Sequence, residues 1–203
     1  MTRILLLSFF AIGTIFNSNA NQWSQKSDFG SFGRHRGVAV GIGNKVYAGT
    51  GHLNGTGFDT WYSDWWEYDP ANNTWTQKAD YIGNGGTGDQ DLTAIAINGI
   101  GYIGGGWYGG AAHYKYDPAI NNWTQLATPP IIVANTDPFV INGKGYYTEW
   151  GTDLLYMYDP VIDLWTPLSQ MPTFASQRDP TFVIDDKGYF KRCLLYTSDA
   201  ADD

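Results

Sequence analysis

The stretch Trp66-Glu67-Tyr68-Asp69-Pro70-Ala71-Asn72-Asn73-Thr74-Trp75-Thr76 decides the fold, because its pattern recurs along the chain. Tyr-Asp-Pro stands at three places, and each Tyr is followed seven residues later by a Trp-Thr pair. The repeated residues are Tyr68 and Trp75, Tyr116 and Trp123, and Tyr158 and Trp165. An earlier Trp23 matches the end of one more unit. The Trp-to-Trp periods of 52, 48 and 42 residues are typical of a repeat protein.

A second pattern precedes each Tyr-Asp-Pro and also recurs near the end of the chain. In it, an Ile is followed five residues later by a Tyr across a polar turn. The pairs are Ile42/Tyr47, Ile97/Tyr102, Ile141/Tyr146 and Ile184/Tyr189. The turns between them are Gly43-Asn44, Asn98-Gly99, Asn142-Gly143 and Asp185-Asp186. Such turns favour two-residue hairpins, because both central positions take positive φ.

Together the two patterns predict four short antiparallel strands per unit, named A to D. Strands A and B flank the polar turn, strand C ends at the repeated Tyr, and strand D starts at the repeated Trp. Units of this kind every forty to fifty residues predict an all-β fold, an incomplete β-propeller. We expect a leading D strand, three full blades and the start of another, at about 36–79, 91–127, 135–169 and 178–192. The repeated Tyr and Trp are expected to fill the space between blades.

The chain resembles the kelch-repeat family, and especially the kelch proteins of bacterial cell surfaces. The resemblance covers Trp23 to Arg192 and is carried by the stretch quoted above, by Gly43-Asn44-Lys45-Val46-Tyr47-Ala48-Gly49 and by Gly101-Tyr102-Ile103-Gly104-Gly105-Gly106. It implies a kelch-type propeller in which the leading D strand completes the last blade. The glycine pair that follows strand B in the family is replaced by Thr148-Glu149-Trp150 in the third unit, where we expect a distorted blade edge.

Both ends of the chain are interpreted as lying outside the fold. Residues 1–20 have the order of a cleaved signal peptide, with Arg3, an apolar run over Ile4–Phe16 and small residues before Ala20. That run is too short to span a membrane, and the interpretation predicts a secreted, cell-surface or periplasmic protein of bacterial type. Cys193–Asp203 matches the translation of a sequencing adapter, so we expect the natural protein to continue past Arg192.

Composition and motifs exclude several classes of function. The net charge of −8 leaves no basic footprint for nucleic acid. One Cys makes neither an internal disulfide nor a thiolate zinc site. His35, His52 and His113 fall in different loop types without metal-ligand spacing, and no phosphate loop or Gly-x-Ser-x-Gly motif is present. We therefore predict no metal, no cofactor and no membrane span.

Candidate ligand contacts lie in the loops, because propeller blades serve as scaffold. Four polar residues stand six positions before the Ile of each unit and are expected to ring one mouth of the central channel: Arg36, Asp91, Asn135 and Arg178. They bind an anionic or sugar-like ligand in one interpretation and solvate strand ends in the other. Four aromatic residues stand outside the repeat and either contact a ligand or pack on a blade edge: Trp61, Tyr62, Trp107 and Tyr108.

The favoured hypothesis is a secreted or surface-exposed module that binds carbohydrate or protein without catalysis. The alternative is a carbohydrate-active enzyme on the same scaffold. The kelch resemblance implies two such activities. Copper-dependent oxidation needs a Tyr–Cys cross-link and His ligands, whereas this segment has only scattered His and no Cys before the adapter-like tail; such residues could lie downstream. Sialic acid mutarotation needs acid–base and carboxylate-binding groups, for which Arg36, Arg178 and Asp91 are candidates.

Overall fold

The computed structural model describes residues 23–172, 175 and 180–190. The predicted signal peptide, Arg178 and the adapter-like tail lie outside the described residues. Within them the chain forms a 3₁₀ turn at Gly83–Gly86 and sixteen strands. The strands are β1 (Val38–Ile42), β2 (Lys45–Gly49), β3 (His52–Gly55), β4 (Phe58–Trp61), β5 (Trp65–Asp69), β6 (Thr74–Lys78), β7 (Leu92–Ile97), β8 (Ile100–Gly105), β9 (His113–Asp117), β10 (Asn122–Gln125), β11 (Phe139–Ile141), β12 (Lys144–Thr148), β13 (Leu155–Asp159), β14 (Leu164–Pro167), β15 (Thr181–Ile184) and β16 (Lys187–Phe190).

The strands assemble into three four-stranded antiparallel sheets, in the orders β1-β2-β5-β6, β7-β8-β9-β10 and β11-β12-β13-β14. A fourth sheet contains β15 and β16 alone. The first strand of each sheet contacts the first strand of the next. This arrangement confirms the prediction of an all-β, incomplete β-propeller. No helix of the described part is long and apolar enough to cross a membrane.

The polar turns between the first two strands of each blade follow the predicted hairpin geometry with one exception. Both residues have positive φ at Asn98-Gly99, Asn142-Gly143 and Asp185-Asp186. At Gly43-Asn44 only Gly43 does, with φ of +62°. Glycine at the first position of a two-residue turn favours type II′, which needs positive φ there alone.

The Tyr-Asp-Pro signature forms a clasp between neighbouring blades. In the second blade Tyr116 donates its hydroxyl proton to Asn121 Oδ1 at 2.8 Å. The same oxygen accepts the backbone N–H of Ala79, at the end of the first blade, at 2.9 Å. The indole N–H of Trp123 then donates to the carbonyl of Ala79 at 2.8 Å. The side chains five and seven residues after the Tyr therefore hold the preceding blade by its backbone.

This clasp recurs at the next blade boundary and ahead of the first blade. Tyr158, Asp163 and Trp165 hold Ala127 at the boundary between the second and third blades. Tyr68, Asn73 and Trp75 hold Ser27 ahead of the first blade. The aspartate of Tyr-Asp-Pro closes the turn within its own blade, as Asp117 does by accepting the N–H of Ala119 at 2.9 Å.

The repeated aromatics lie in the cores between blades. Tyr116 and Tyr158 have no exposed surface, and Trp123 is 5% exposed. Tyr68, Trp75 and Trp165 are half-buried. Aromatic clusters of this size supply most of the apolar burial that holds neighbouring blades together.

The leading D strand does not form in the described residues. Trp23 is fully exposed, and no strand precedes β1. Ser27 is nevertheless held by Asn73 and Trp75, so the segment keeps the register of a strand-D end. The described residues provide no C strand beside it, and a strand needs such a neighbour for its ladder of hydrogen bonds.

The segment between β2 and β5 of the first blade forms a hairpin of its own. β3 pairs with β4, and His52 also pairs with His35 in an isolated antiparallel bridge. His35 precedes β1 and His52 follows β2, so they belong to different connections, yet their rings lie 5.0 Å apart. His113 lies in strand β9 rather than in a loop.

The third blade leaves the regular pattern after Thr148. Trp150 forms an isolated parallel bridge with Ala175, and the N–H of Gly151 donates to the carbonyl of Ala175 at 2.8 Å. Beyond it, β15 and β16 expose apolar side chains: Phe182, Val183, Ile184, Tyr189 and Phe190.

Candidate ligand-binding face

Three of the four residues predicted for the channel mouth are linked from blade to blade. The N–H of Asp91 donates to the carbonyl of Arg36, and the N–H of Asn135 donates to the carbonyl of Asp91, both at 3.0 Å. All three have left-handed backbones, with φ of 56°, 60° and 58°. Such a conformation costs about 1 kcal/mol or more for a residue with a side chain, and Asn and Asp tolerate it best. The equivalent Arg178 lies outside the described residues.

Among the described residues of this set, Arg36 is a solvent-facing cation. Arg36 Nη1 lies 3.5 Å from Asp91 Oδ2. The side chain of Arg36 is 48% exposed, whereas that of Asp91 is 4% exposed. Asp91 therefore holds the guanidinium at the rim, where the exposed part of Arg36 remains accessible to an anionic group.

A cavity of about 200 Å³ lies between the inner strands β1 and β7 and the segment Asn135–Pro138. Asn135 is half-buried and lines both this cavity and a second one beside it.

We call that second cavity the tryptophan cleft. It has a volume of about 280 Å³. It is lined by Gly106, Trp107, Ile132, Ala134, Asn135, Glu149 and Trp150. Trp107 is 59% exposed and Trp150 is 54% exposed. Glu149 Oε1 accepts the N–H of Ile132 at 3.0 Å, which fixes the carboxylate at the cleft. Two indole rings and two polar side chains therefore line the same cleft.

The loop that carries Trp107 is anchored by a buried carboxylate. Asp89 has no exposed surface and accepts the backbone N–H groups of Tyr108 at 3.1 Å and Gly109 at 2.7 Å. Gly106 packs on this carboxylate with φ of +106°, where a Cβ atom would collide with Asp89. Trp107 and Tyr108 are thus presented on a pre-organised loop.

A third cavity, the hairpin cleft, borders the same loop at Tyr108. It has a volume of about 220 Å³ and is lined by Trp61, Asn84, Thr87, Gly88 and Tyr108. Trp61 stacks on His52 with centroids 5.0 Å apart and planes 7° from parallel. Its ring meets Tyr108 edge to face at 5.2 Å.

Of the four aromatic residues proposed from the sequence, Tyr62 lines neither the tryptophan cleft nor the hairpin cleft. The guanidinium of Arg34 lies 3.9 Å from the centre of its ring, and Arg34 also forms a buried ion pair with Asp64. Tyr62 thus packs on the segment that leads into the first blade. Trp61, Trp107 and Tyr108 line the two clefts.

Sequence reasoning missed Trp150 and Glu149. The signal was visible, since both stand where the repeat has its glycine pair, but we interpreted them only as a distorted edge. The structure shows that β12 ends at Thr148 and that Trp150 lines the same cleft as Trp107.

His113 does not contribute to this face. It is fully buried against Tyr102, Tyr147, Tyr158 and Trp165. Burial lowers its pKa to about 3, although the charge of Asp163 opposes the shift. The ring is therefore neutral at ordinary pH. Across the described ranges no three His, Cys, Asp or Glu side chains converge in a way that suits a metal ion.

Comparison with known proteins supports the fold and no more. No protein-family model matches the sequence, and no curated protein matches it. The structure is similar to the solved structure of YjhT, with a TM-score of 0.62 and 15% sequence identity. The likeness covers 75% of this chain and 56% of YjhT, so the chain spans little more than half of that protein's length.

Proposed function

We propose that this chain belongs to a secreted or surface-exposed kelch-type propeller that binds carbohydrate at the tryptophan cleft. The observation that carries the proposal is the pair of half-exposed indoles, Trp107 and Trp150, on one cleft with Glu149 and Asn135. The repeat signature supports the kelch assignment, and the sequence of residues 1–20 supports export.

The chemistry of the cleft suits a sugar better than a purely apolar ligand. A sugar ring has an apolar C–H face, which packs on an aromatic ring, and hydroxyl groups at its edge, which need hydrogen-bond partners. Ligand sites typically combine a hydrophobic lining with a few placed polar groups. Here the indoles supply the lining, while Glu149 accepts hydrogen bonds and Asn135 both donates and accepts them.

Truncation of the cleft tests the proposal. Trp150→Ala and Glu149→Gln are compared with the wild type by calorimetric titration of mono- and oligosaccharides. We expect Trp150→Ala to weaken binding by about tenfold to a hundredfold, the range expected for an anchoring aromatic. Trp23→Ala is the matched control, because Trp23 is fully exposed and lines neither cleft. Unchanged sugar affinity in Trp150→Ala would refute the assignment of the site.

One observation favours catalysis on an acidic sugar as a second candidate. Arg36 keeps an exposed guanidinium at the channel mouth beside the Asp91 carboxylate, an arrangement suited to a sugar acid. Anomer exchange of sialic acid, followed by NMR with the full chain, tests it. A rate equal to the spontaneous one removes this candidate, and acceleration that is lost in Arg36→Ala supports it.

A further inference from the structure

We infer that the ligand is a linear oligosaccharide that crosses the loop Gly106–Gly109 and occupies the tryptophan cleft and the hairpin cleft together. The inference rests on the proposed function and deepens it, because it specifies the size class of the sugar and adds a second binding site.

The two clefts meet at consecutive residues. Trp107 lines the tryptophan cleft and Tyr108 lines the hairpin cleft. Their Cα atoms are about 3.8 Å apart, as in any trans peptide. Both side chains are more than half exposed, at 59% and 51%. A short glycan that leaves one cleft therefore enters the other without losing contact with an aromatic surface.

The hairpin cleft has the same kind of chemistry as the tryptophan cleft. Trp61 and Tyr108 form an aromatic corner, with ring planes 82° apart. Asn84 and Thr87 supply polar groups beside it, and the amide nitrogen of Asn84 already donates to Thr87 Oγ1 at 3.0 Å. The corner thus offers a platform with polar groups at its edge, as a sugar residue requires.

One short segment fixes both clefts relative to each other. The side chain of Asp89 holds the loop Gly106–Gly109, while its backbone carbonyl accepts the N–H of Gly51 at 2.7 Å, at the start of the hairpin. The N–H of Trp107 donates to the carbonyl of Gln90 at 3.0 Å. Tyr62 directly follows the second strand of the hairpin, and its N–H donates to the carbonyl of Gly51 at 2.9 Å. Because the platforms are fixed before binding, a ligand that contacts both loses little affinity to ordering the protein.

The test compares chain lengths. Glucose, N-acetylglucosamine, xylose and mannose are titrated beside their short linear oligomers, by calorimetry on the full chain. For the sugar that binds, we expect the oligomer to bind at least tenfold more tightly than its monomer. Trp61→Ala is expected to weaken oligomer binding by about tenfold and to leave monomer binding unchanged. Trp150→Ala is expected to weaken both.

Two controls separate folding from binding. Trp61 stacks on His52, so its truncation also removes a contact that stabilises the hairpin of β3 and β4. Tyr108→Ala therefore serves as the second variant, because the N–H held by Asp89 is retained. Trp23→Ala should change no affinity. Equal affinities for monomer and oligomer would overturn the inference and leave the proposed function intact. Oligomer binding of wild-type strength in both Trp61→Ala and Tyr108→Ala would do the same. Absence of binding to every sugar would overturn both.

Discussion

Replacement of Asn121 isolates the clasp that joins the first and second blades. Its Oδ1 accepts two hydrogen bonds, from Ala79 and Tyr116, and its backbone is left-handed with φ of 50°. Loss of two hydrogen bonds costs about 2 kcal/mol at about 1 kcal/mol each. A left-handed Ala adds about 1 kcal/mol, which Gly does not incur. We expect losses of about 3 kcal/mol for Asn121→Ala and about 2 kcal/mol for Asn121→Gly.

Asn121→Asp is the matched control, because Asp163 fills the same position in the third blade with the same contacts. It should lie within about 0.5 kcal/mol of the wild type. Urea unfolding gives the order of stabilities, and amide hydrogen exchange of Ala79 reports the clasp directly. Exchange at Ala79 should accelerate in the Ala and Gly variants alone. A stability of Asn121→Ala equal to the wild type, with Ala79 still protected, would show that the clasp contributes nothing.

Three further outcomes are expected. His113 should make the fold sensitive to acid, because its pKa of about 3 lies below the unfolded value of about 6.5. The stabilising contribution of neutral His113 is complete above pH ~6.5, and the free energy of unfolding falls by up to about 1.4 kcal/mol per pH unit between pH ~6.5 and pH ~3. In His113→Leu the urea midpoint should depend less on pH across that window. An unchanged pH dependence in the variant would contradict the reasoning. Gly106→Ala should lower the melting temperature and weaken sugar binding, because its Cβ collides with Asp89; unchanged values of both would contradict the anchoring of that loop. The exposed apolar face of β15 and β16 should cause self-association of the wild type, measured by light scattering. Phe182→Asp should reduce that self-association. A monodisperse wild type would contradict the prediction.

Much of the fold was predictable because the blades use the same residue types at the same spacings. Tyr116, Asn121 and Trp123 stand at spacings that recur at Tyr68 and Tyr158, because the same clasp geometry forms at all three places. Repetition makes such a device visible in a single sequence. The hairpin of β3 and β4 was not predictable in the same way. Most of its residues are exposed, so its strands lack the alternation of apolar and polar residues that marks a half-buried strand.

The candidate site was only partly predictable, because it depends on where separate loops meet. Arg36, Asp91 and Asn135 could be aligned from the repeat, and backbone hydrogen bonds link them from blade to blade. Trp150 joins Trp107 only because the third blade abandons its regular edge. The role of Asp89 rests on hydrogen bonds to backbone groups some twenty residues away, which no local pattern in the sequence reveals.

The most direct test of carbohydrate binding at the tryptophan cleft is an NMR titration that follows the indole N–H signals of ¹⁵N-labelled protein. The same sugars and oligomers are added, and assignments come from single Trp-to-Phe variants. We predict that the signals of Trp107 and Trp150 shift with the added sugar, while that of Trp65, which has no exposed surface, does not. Binding that shifts other indoles and leaves Trp107 and Trp150 unchanged would contradict the account.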